Sequence, residues 1–282
     1  SHGELLPRVA EMLNLKGGIP VSYKAGDQPN NALSLNVLQP GEVAANGGTS
    51  GVIYAVTDQL LADKFSRVNS FVHVNNESGN KRVGVLLCIN GAAIMNSWVK
   101  KNCCDELSYN EMDALAAEIP AGSEGLLVLP FGNGAERMLQ NKIVGAHIID
   151  IDLNKHTKAH LFRAVQEGIA FAFRYGLDIM RENGLNPTII RAGKANLFLS
   201  DVFVRSFVDS TGVAVELYEN DGSIGAALGA GIGAGISKSY SDAYSNFKPL
   251  HKYEPANVDL YDKLYQDWKK MLEMHLKIDS VS

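Results

Sequence analysis

Apolar positions along the chain change period several times, and each change marks an element. Residues 4–15 carry apolar side chains at helical spacing and predict a short helix. "IPVSYKAG" (residues 19–26) predicts a strand running into a turn. Asp27 then stands where a helix N-cap is expected, because a carboxylate there accepts backbone N–H groups. Pro29 suits the first turn of that helix, which should run to about Leu38 before "QPGE" breaks it. "VAANGGTSGVIYAVTD", "SRVNSFVHVN" and "KRVGVLLCINGAA" are β-branched, apolar or alternating, and predict three consecutive antiparallel strands. "AAIMNSWVKKN" and "NEMDALAAEI" predict two helices, and "GLLVLPF" a buried strand ending in the loop "GNGAERM".

The second half is mostly helical. A long amphipathic helix spans "KHTKAHLFRAVQEGIAFAFRYGLDIMRENG", with Gly184 as its stop. "PTIIRAG" and "VAVELY" predict strands, and "NLFLSDVFVRSFVDSTG" between them a helix with Gly212 just past its end. "DGSIGAALGAGIGAG" opens a glycine-rich helix. In the tail helix, residues 258–277, Tyr261, Leu264, Tyr265, Trp268, Leu272 and Leu276 suit either a core or a partner surface, a second copy (homodimer) included. The order is that of an α/β layered domain, a mixed sheet flanked by helices, without internal repeat, and it is taken as one domain over residues 3–282.

Composition narrows the function more than the fold. A net charge of -5 with no compact Lys/Arg run excludes a general nucleic-acid binder. No apolar run reaches the roughly 20 residues that span a bilayer. Cys88, Cys103 and Cys104 make no disulfide framework, which fits a reducing cytoplasm. His156 and His160 share a helix face, but no metal-site spacing accompanies them or His147. The chain opens on Ser1-His2 rather than methionine, as a tag remnant would, and reads as a piece of a longer protein.

Four stretches hold candidate chemistry, each with a plainer alternative. Asp27 is an N-cap, or a general base that takes a proton from a substrate hydroxyl. Gly47 to Gly51 is a tight hairpin, or an anion nest whose consecutive N–H groups and Thr49 and Ser50 hydroxyls hold phosphate. No Gly-Lys-Ser/Thr sequence occurs, so a Walker-type loop is excluded. "RAGKANLFLSDV" is a routine strand–helix connection, or a place where a ligand approaches backbone. The glycines of "DGSIGAALGAGIGAG" serve close helix packing rather than a dinucleotide fingerprint, since no strand and following acid frame them.

In order and spacing these segments resemble the C-terminal half of the FGGY carbohydrate kinases, over residues 3–234 and most closely the members that act on xylulose. "YKAGDQPN" with "GGTSG" is similar to the family's Gly-x-Gly-Asp-Asn segment and Gly-Thr-Ser-Gly turn, and "LPFGNGAERM" to its Leu-Pro-Tyr and Gly-Glu-Arg segments. "AHLFRAVQEGIAF" resembles its second signature, and "DGSIGAALGAG" its glycine–alanine helix. The resemblance implies the ribonuclease-H-like, actin-like fold and ATP-dependent phosphorylation of D-xylulose, with ribulose, gluconate or glycerol as alternative acceptors and a non-catalytic nucleotide-binding regulator as the alternative role. It implies Asp27 as catalytic base. Gly48, Thr49 and Ser50 would hold the ATP phosphates; Gly193, Lys194 and Asn196 would lie at the adenosine pocket, with Asn133 at its border. Mg²⁺ would accompany the ATP. The family's N-terminal domain, with its Asp-x-Gly-Thr motif and most sugar contacts, has no counterpart here, so the fragment alone is expected to be inactive. Four positions depart from the family pattern: Arg191 and Ala192 replace glycines of the adenosine loop, Asp150 replaces a glycine, and Gln166 an apolar residue.

Overall fold

The computed structural model describes residues 2–219 and 221–278. Strands β1 (Glu42–Gly47), β2 (Gly51–Thr57), β3 (Asn69–Val72) and β4 (Val83–Ile89) come first. Next, β5 (Leu127–Phe131) and β6 (Gly145–Ile149) pair with each other as a separate ribbon. With β7 (Ile189–Gly193), β8 (Val215–Tyr218) and β9 (His251–Tyr253), the first four complete a seven-stranded sheet in the order β3-β4-β2-β1-β7-β8-β9. The sheet is mixed: β1, β7 and β8 are parallel, and the other pairs antiparallel.

The expected fold class holds, and several details differ. "VAANGGTSGVIYAVTD" contains two strands, because the glycine turn folds it into a hairpin with Gly47 opposite Gly51. Neighbours in sequence are not all neighbours in space: β4, not β3, pairs with β2. Residues 19–26 make no strand beyond a single bridge from Pro20 to Glu4. β6 and β9 fall outside the expected strands, being short and half exposed.

Nine helices are described: α1 (Pro7–Met12), α2 (Asp27–Ser34), α3 (Ala93–Cys103), α4 (Tyr109–Ala117), α5 (Lys158–Glu182), α6 (Asp201–Thr211), α7 (Gly222–Gly233), α8 (Tyr240–Ala243) and α9 (Val258–Ile278). α2 stops short of Leu38 because Asn36 turns left-handed at φ 53°. "NLFLSDV" divides into a 3₁₀ turn and α6, since the Ser200 hydroxyl caps α6 by accepting the Phe203 N–H. α5 ends as expected, with Gly184 left-handed at φ 86°.

The strands read as continuous apolar runs because both sheet faces are covered. Val43, Ala45, Ile53 and Leu87 join one core with Phe173, Phe203 and Phe207 of α5 and α6, while Ala44, Tyr54 and Val56 join another with Ala32 of α2. Tyr261, Tyr265, Trp268 and Leu272 of α9 are buried in the first core, and the Trp268 indole donates to the Val128 carbonyl at 2.8 Å. The tail helix therefore covers this chain's own core. Asp150 has φ 63°, which explains why glycine is usual there; aspartate is among the few side chains that tolerate it.

The glycine-rich helix is packed as its sequence predicts. A Cβ on Gly225 would lie 1.9 Å from the Asn30 carbonyl oxygen, one on Gly229 2.6 Å from the Tyr23 ring, and one on Gly233 2.5 Å from the Ser22 carbonyl. These glycines, four residues apart, form one stripe that lets α7 press against α2 and the segment leading into it. The Ser22 hydroxyl donates to the Ala230 carbonyl at 2.8 Å, and the Tyr23 hydroxyl to Asn30 Oδ1 at 2.7 Å. Replacing Gly225 by Ala should cost about 1–3 kcal/mol of overpacking, read as a lower urea midpoint.

Beneath this layer His73 is buried. Its Nε2 faces the Val37 carbonyl at 3.0 Å, which can only accept, so Nε2 carries the proton and Nδ1, at 2.9 Å, accepts from the Tyr54 hydroxyl. Burial, with a smaller push from Arg82, lowers its pKa from 6.5 to about 4. The folded state thus resists a proton that the unfolded chain takes up near pH 6.5. Stability from this residue is complete above pH 6.5 and falls as pH drops toward 4, by about 3 kcal/mol in all. Unfolding measured at pH 7 and pH 4.5 should show that loss, and His73→Gln should remove this part of the pH dependence.

Candidate active site

Three strand ends meet at one edge of the sheet. Ala45 lies beside Ala192, and Ala192 beside Leu217, in parallel register, so the residues following Gly47, Gly193 and Tyr218 emerge together. In an open α/β sheet this is the edge where ligands bind. α2 reaches the same edge, because the position of a Cβ on Gly222, the first residue of α7, is 3.9 Å from the Asp27 carbonyl oxygen.

The turn at 48–50 is built from both sides. The amides of Ala93 and Ile94, at the start of α3, donate to the carbonyls of Gly48 and Thr49 at 3.3 and 3.1 Å. The Gly48 amide donates to Asn46 Oδ1 at 3.0 Å. Among the described residues the amides of Thr49 and Ser50 have no backbone acceptor. Pinned carbonyls and uncommitted N–H groups are what an anion-binding turn requires.

Beside the turn opens a cavity of about 330 Å³, walled in part by Gly48, Thr49, Asn96, Asp113, Asn196 and Ser200. Asn196 is left-handed at φ 53°, and its Nδ2 is 3.9 Å from where a Gly48 Cβ would be. Of the residues expected at a nucleotide site, Gly48, Thr49 and Asn196 therefore share this cavity. Ser50 belongs to the turn but not to the wall. Gly193 and Lys194 lead into Asn196 without lining the cavity; the Lys194 amide donates to the Tyr218 carbonyl at 2.8 Å. Asn133 is set apart, donating from Nδ2 to the Asn90 carbonyl at 3.1 Å. It braces the β4–α3 connection together with Glu136, a fully buried carboxylate that accepts the amides of Asn90 at 2.9 Å and Gly91 at 2.7 Å. Burial raises the Glu136 pKa, and those two hydrogen bonds oppose the rise.

Asp27 is the first residue of α2 rather than its cap. Gly26 holds the cap position, and Asp27 Oδ1 accepts the Gln28 amide at 2.8 Å, which still serves an otherwise unpaired donor of the first turn. The side chain is exposed, with Oδ2 only 3.4 Å from Gln28 Nε2. It opens on a second cavity of about 620 Å³, shared with Tyr23, Phe71 and His73. Its charge reaches Cys88: burial pushes that thiol up, Arg137 opposes, and Asp27 and Glu136 add to the rise. Cys88 pairs with Val52, next to the Gly51 that closes the turn. Asp27 and the turn thus flank the same strand ends from different cavities.

The departures from the family pattern resolve in different ways. Arg191 does not intrude on the cavity: it pairs with Glu42 and Glu216, each at 3.0 Å, and donates to the Asn36 carbonyl. Ala192 is core. Gln166, fully buried, is no packing variant; its Nε2 donates to Asp113 Oδ1 at 2.7 Å and its Oε1 accepts the Ser200 hydroxyl at 2.7 Å. The wall residues Asn96 and Asp113 lie in ordinary amphipathic helices, and the polar Gln166 in an apolar run was the one sequence sign of them. His160 accounts for itself within α5, capping Thr157 through Nδ1 at 3.0 Å and meeting the Glu124 carboxylate through Nε2 at 2.8 Å. Among the described residues no three His, Cys, Asp or Glu side chains gather to hold a metal, and no helix is long and apolar enough to cross a membrane.

Residues 43–237 match the model of the FGGY family of carbohydrate kinases, C-terminal domain. The xylulose kinase of Haemophilus influenzae is 29% identical over 189 residues, 67% of this chain and 37% of that protein. That of Lactococcus lactis is 26% identical over 283 residues, 95% of this chain and 54% of the other. Among solved structures, the xylulose kinase from Rhodospirillum rubrum superposes with a TM-score of 0.84 at 26% identity, over 96% of this chain and 55% of that one. The Plasmodium falciparum glycerol kinase with ADP superposes with a TM-score of 0.81 at 20% identity, a likeness of fold alone, over 96% of this chain and 53% of that one. This chain spans about half the length of the Lactococcus relative and of these structures. The match runs through the hairpin turn, the long helix α5, the Asn196 loop and the glycine stripe of α7, and by it the chain belongs to the FGGY family of carbohydrate kinases, as a C-terminal domain.

Proposed function

We propose that this domain contributes the nucleotide site and the catalytic base of an ATP-dependent kinase that converts D-xylulose to D-xylulose 5-phosphate. One observation carries the reading: an exposed carboxylate at a helix start and a glycine turn with uncommitted amides stand at the same strand ends. The relatives named xylulose kinase support the choice of sugar.

In this reading Gly48, Thr49 and Ser50 take the phosphates, and Asn196 continues the site into the first cavity. Gly193 and Lys194 act through the shape of the loop. Asp27 accepts the proton of the sugar's 5-hydroxyl as its oxygen attacks the terminal phosphorus. The bond from that phosphorus to the bridging oxygen breaks, and ADP leaves. Phosphoryl transfer needs alignment and charge neutralisation more than covalent help. Mg²⁺ fits as a companion of the nucleotide: phosphate oxygens and water would supply most of its ligands, since no protein cluster does so among the described residues. The sugar's other contacts come from an N-terminal half, the remaining length of the relatives.

Asp27→Ala in the full-length protein should lower kcat/KM for D-xylulose about 10²-fold or more, with the KM for ATP little changed. Coupled ADP-release assays against D-xylulose, ribulose, gluconate and glycerol measure both this loss and the acceptor. Activity unmoved by Asp27→Ala, or no acceptor-dependent ADP release, rejects the assignment. Chelating Mg²⁺ should abolish turnover, and adding it back should restore it.

A further inference from the structure

The wall of the cavity beside the turn carries two hydrogen-bond acceptors, the Asn96 side-chain oxygen and the Asp113 carboxylate. Asn96 is 9% exposed, and its Oδ1 is buried without a partner. Asp113 lines the same cavity with one carboxylate oxygen, Oδ1, bonded to Gln166. Gln166 is fully buried, and burying an amide is costly unless its groups are bonded. Here its two ends are spent on Asp113 and on Ser200, the cap of α6. The amide is thus a strut that fixes a carboxylate on the cavity wall.

We propose that Asp113, positioned by Gln166, and Asn96 bind the ribose hydroxyls of the nucleotide. This rests on the nucleotide site proposed above. A ligand for this wall must bring donors. The phosphates bring negative charge, which a carboxylate repels. The adenine edge sets its one amine among ring-nitrogen lone pairs, which face a carboxylate badly. The ribose diol presents two O–H groups that rotate to meet two acceptors. A carboxylate on ribose hydroxyls is the arrangement used by dinucleotide-binding sheets, reached here from α4 instead of a strand. Asp113 and Asn96 are the residues that would touch the nucleotide, and Gln166 acts through Asp113.

The test is equilibrium binding of ATP, 2′-deoxy-ATP, 3′-deoxy-ATP and ITP to this chain and to its Asp113→Asn and Gln166→Leu variants. A site built to bond a hydroxyl rejects the analogue lacking it. The parent should bind ATP on the order of tenfold more tightly than at least one deoxy analogue. Asp113→Asn should bring that ratio close to one, and Gln166→Leu should lower it while the chain still melts cooperatively. Damage to the fold alone would weaken all four nucleotides alike and leave the ratio standing, which overturns the proposal. An undiscriminating parent overturns it too, as does a collapse of the ATP-to-ITP ratio in Asp113→Asn, which would assign the carboxylate to the base amine. If the parent binds none of the four, the nucleotide site itself fails, and this inference with it.

Discussion

Backbone-to-backbone contact between α7 and α2 is the constraint from which the candidate site follows. α2 is short and is preceded by Gly26, a cap without a side chain, so its N-terminus has no side-chain cap to fix it. What holds it is a neighbour with no Cβ atoms on the facing side. The stripe of Gly225, Gly229 and Gly233 places α7 against Asn30, Tyr23 and Ser22 in turn. Asp27 sits at the end of the segment so gripped. The acid needs no buried partner of its own, and it remains open to a substrate.

The nucleotide side is secured differently. The turn's carbonyls are tied to the start of α3, and the connection into α3 is tied to a buried carboxylate, Glu136. Desolvating that carboxylate is offset by two backbone amides that would otherwise be buried without partners. Asp113, Gln166 and Ser200 link α4, α5 and α6 in the same way. Polar groups inside a layer of Phe173, Phe203 and Phe207 survive only as complete networks. Where the network stops at Asn96 Oδ1, buried without a partner, a ligand is the natural completion.

Much of this was legible in the sequence because it rests on local chemistry. The glycine turn, the long helix with Gly184 at its end and the glycine stripe of α7 each follow from backbone conformation or spacing. The Asp27 position was one residue out, since the helix starts at the aspartate and not after it. The strand count was short by one in the first hairpin, because an apolar run does not show where it folds. Order in the sheet was not legible: that β4 inserts beside β2 is decided by which faces can be buried. The cavity wall was illegible for the same reason, as Asn96 and Asp113 look like any solvated positions until α3 and α4 are docked. Asp150 and Gln166 show the other side of this. Each departs from the pattern that the resemblance implies, yet one meets a backbone angle and the other a pair of partners.

Arg191 has a bearing on how the chain assembles. It lies on the middle strand of the parallel trio, between Glu42 on β1 and Glu216 on β8. About half of the chain intervenes between β1 and β7, so this pairing closes a long loop at an entropic cost. Slipping β7 by one residue would turn Arg191 to the opposite face, among the phenylalanines, and strand both glutamates. A guanidinium stripped of water and partners there is far costlier than any apolar mismatch. The arginine works as a key: it tolerates one alignment of the three strands and makes near-misses too unstable to persist. The loop that carries Asn196 is therefore delivered to the turn in a single position, with the alignment settled before any nucleotide arrives.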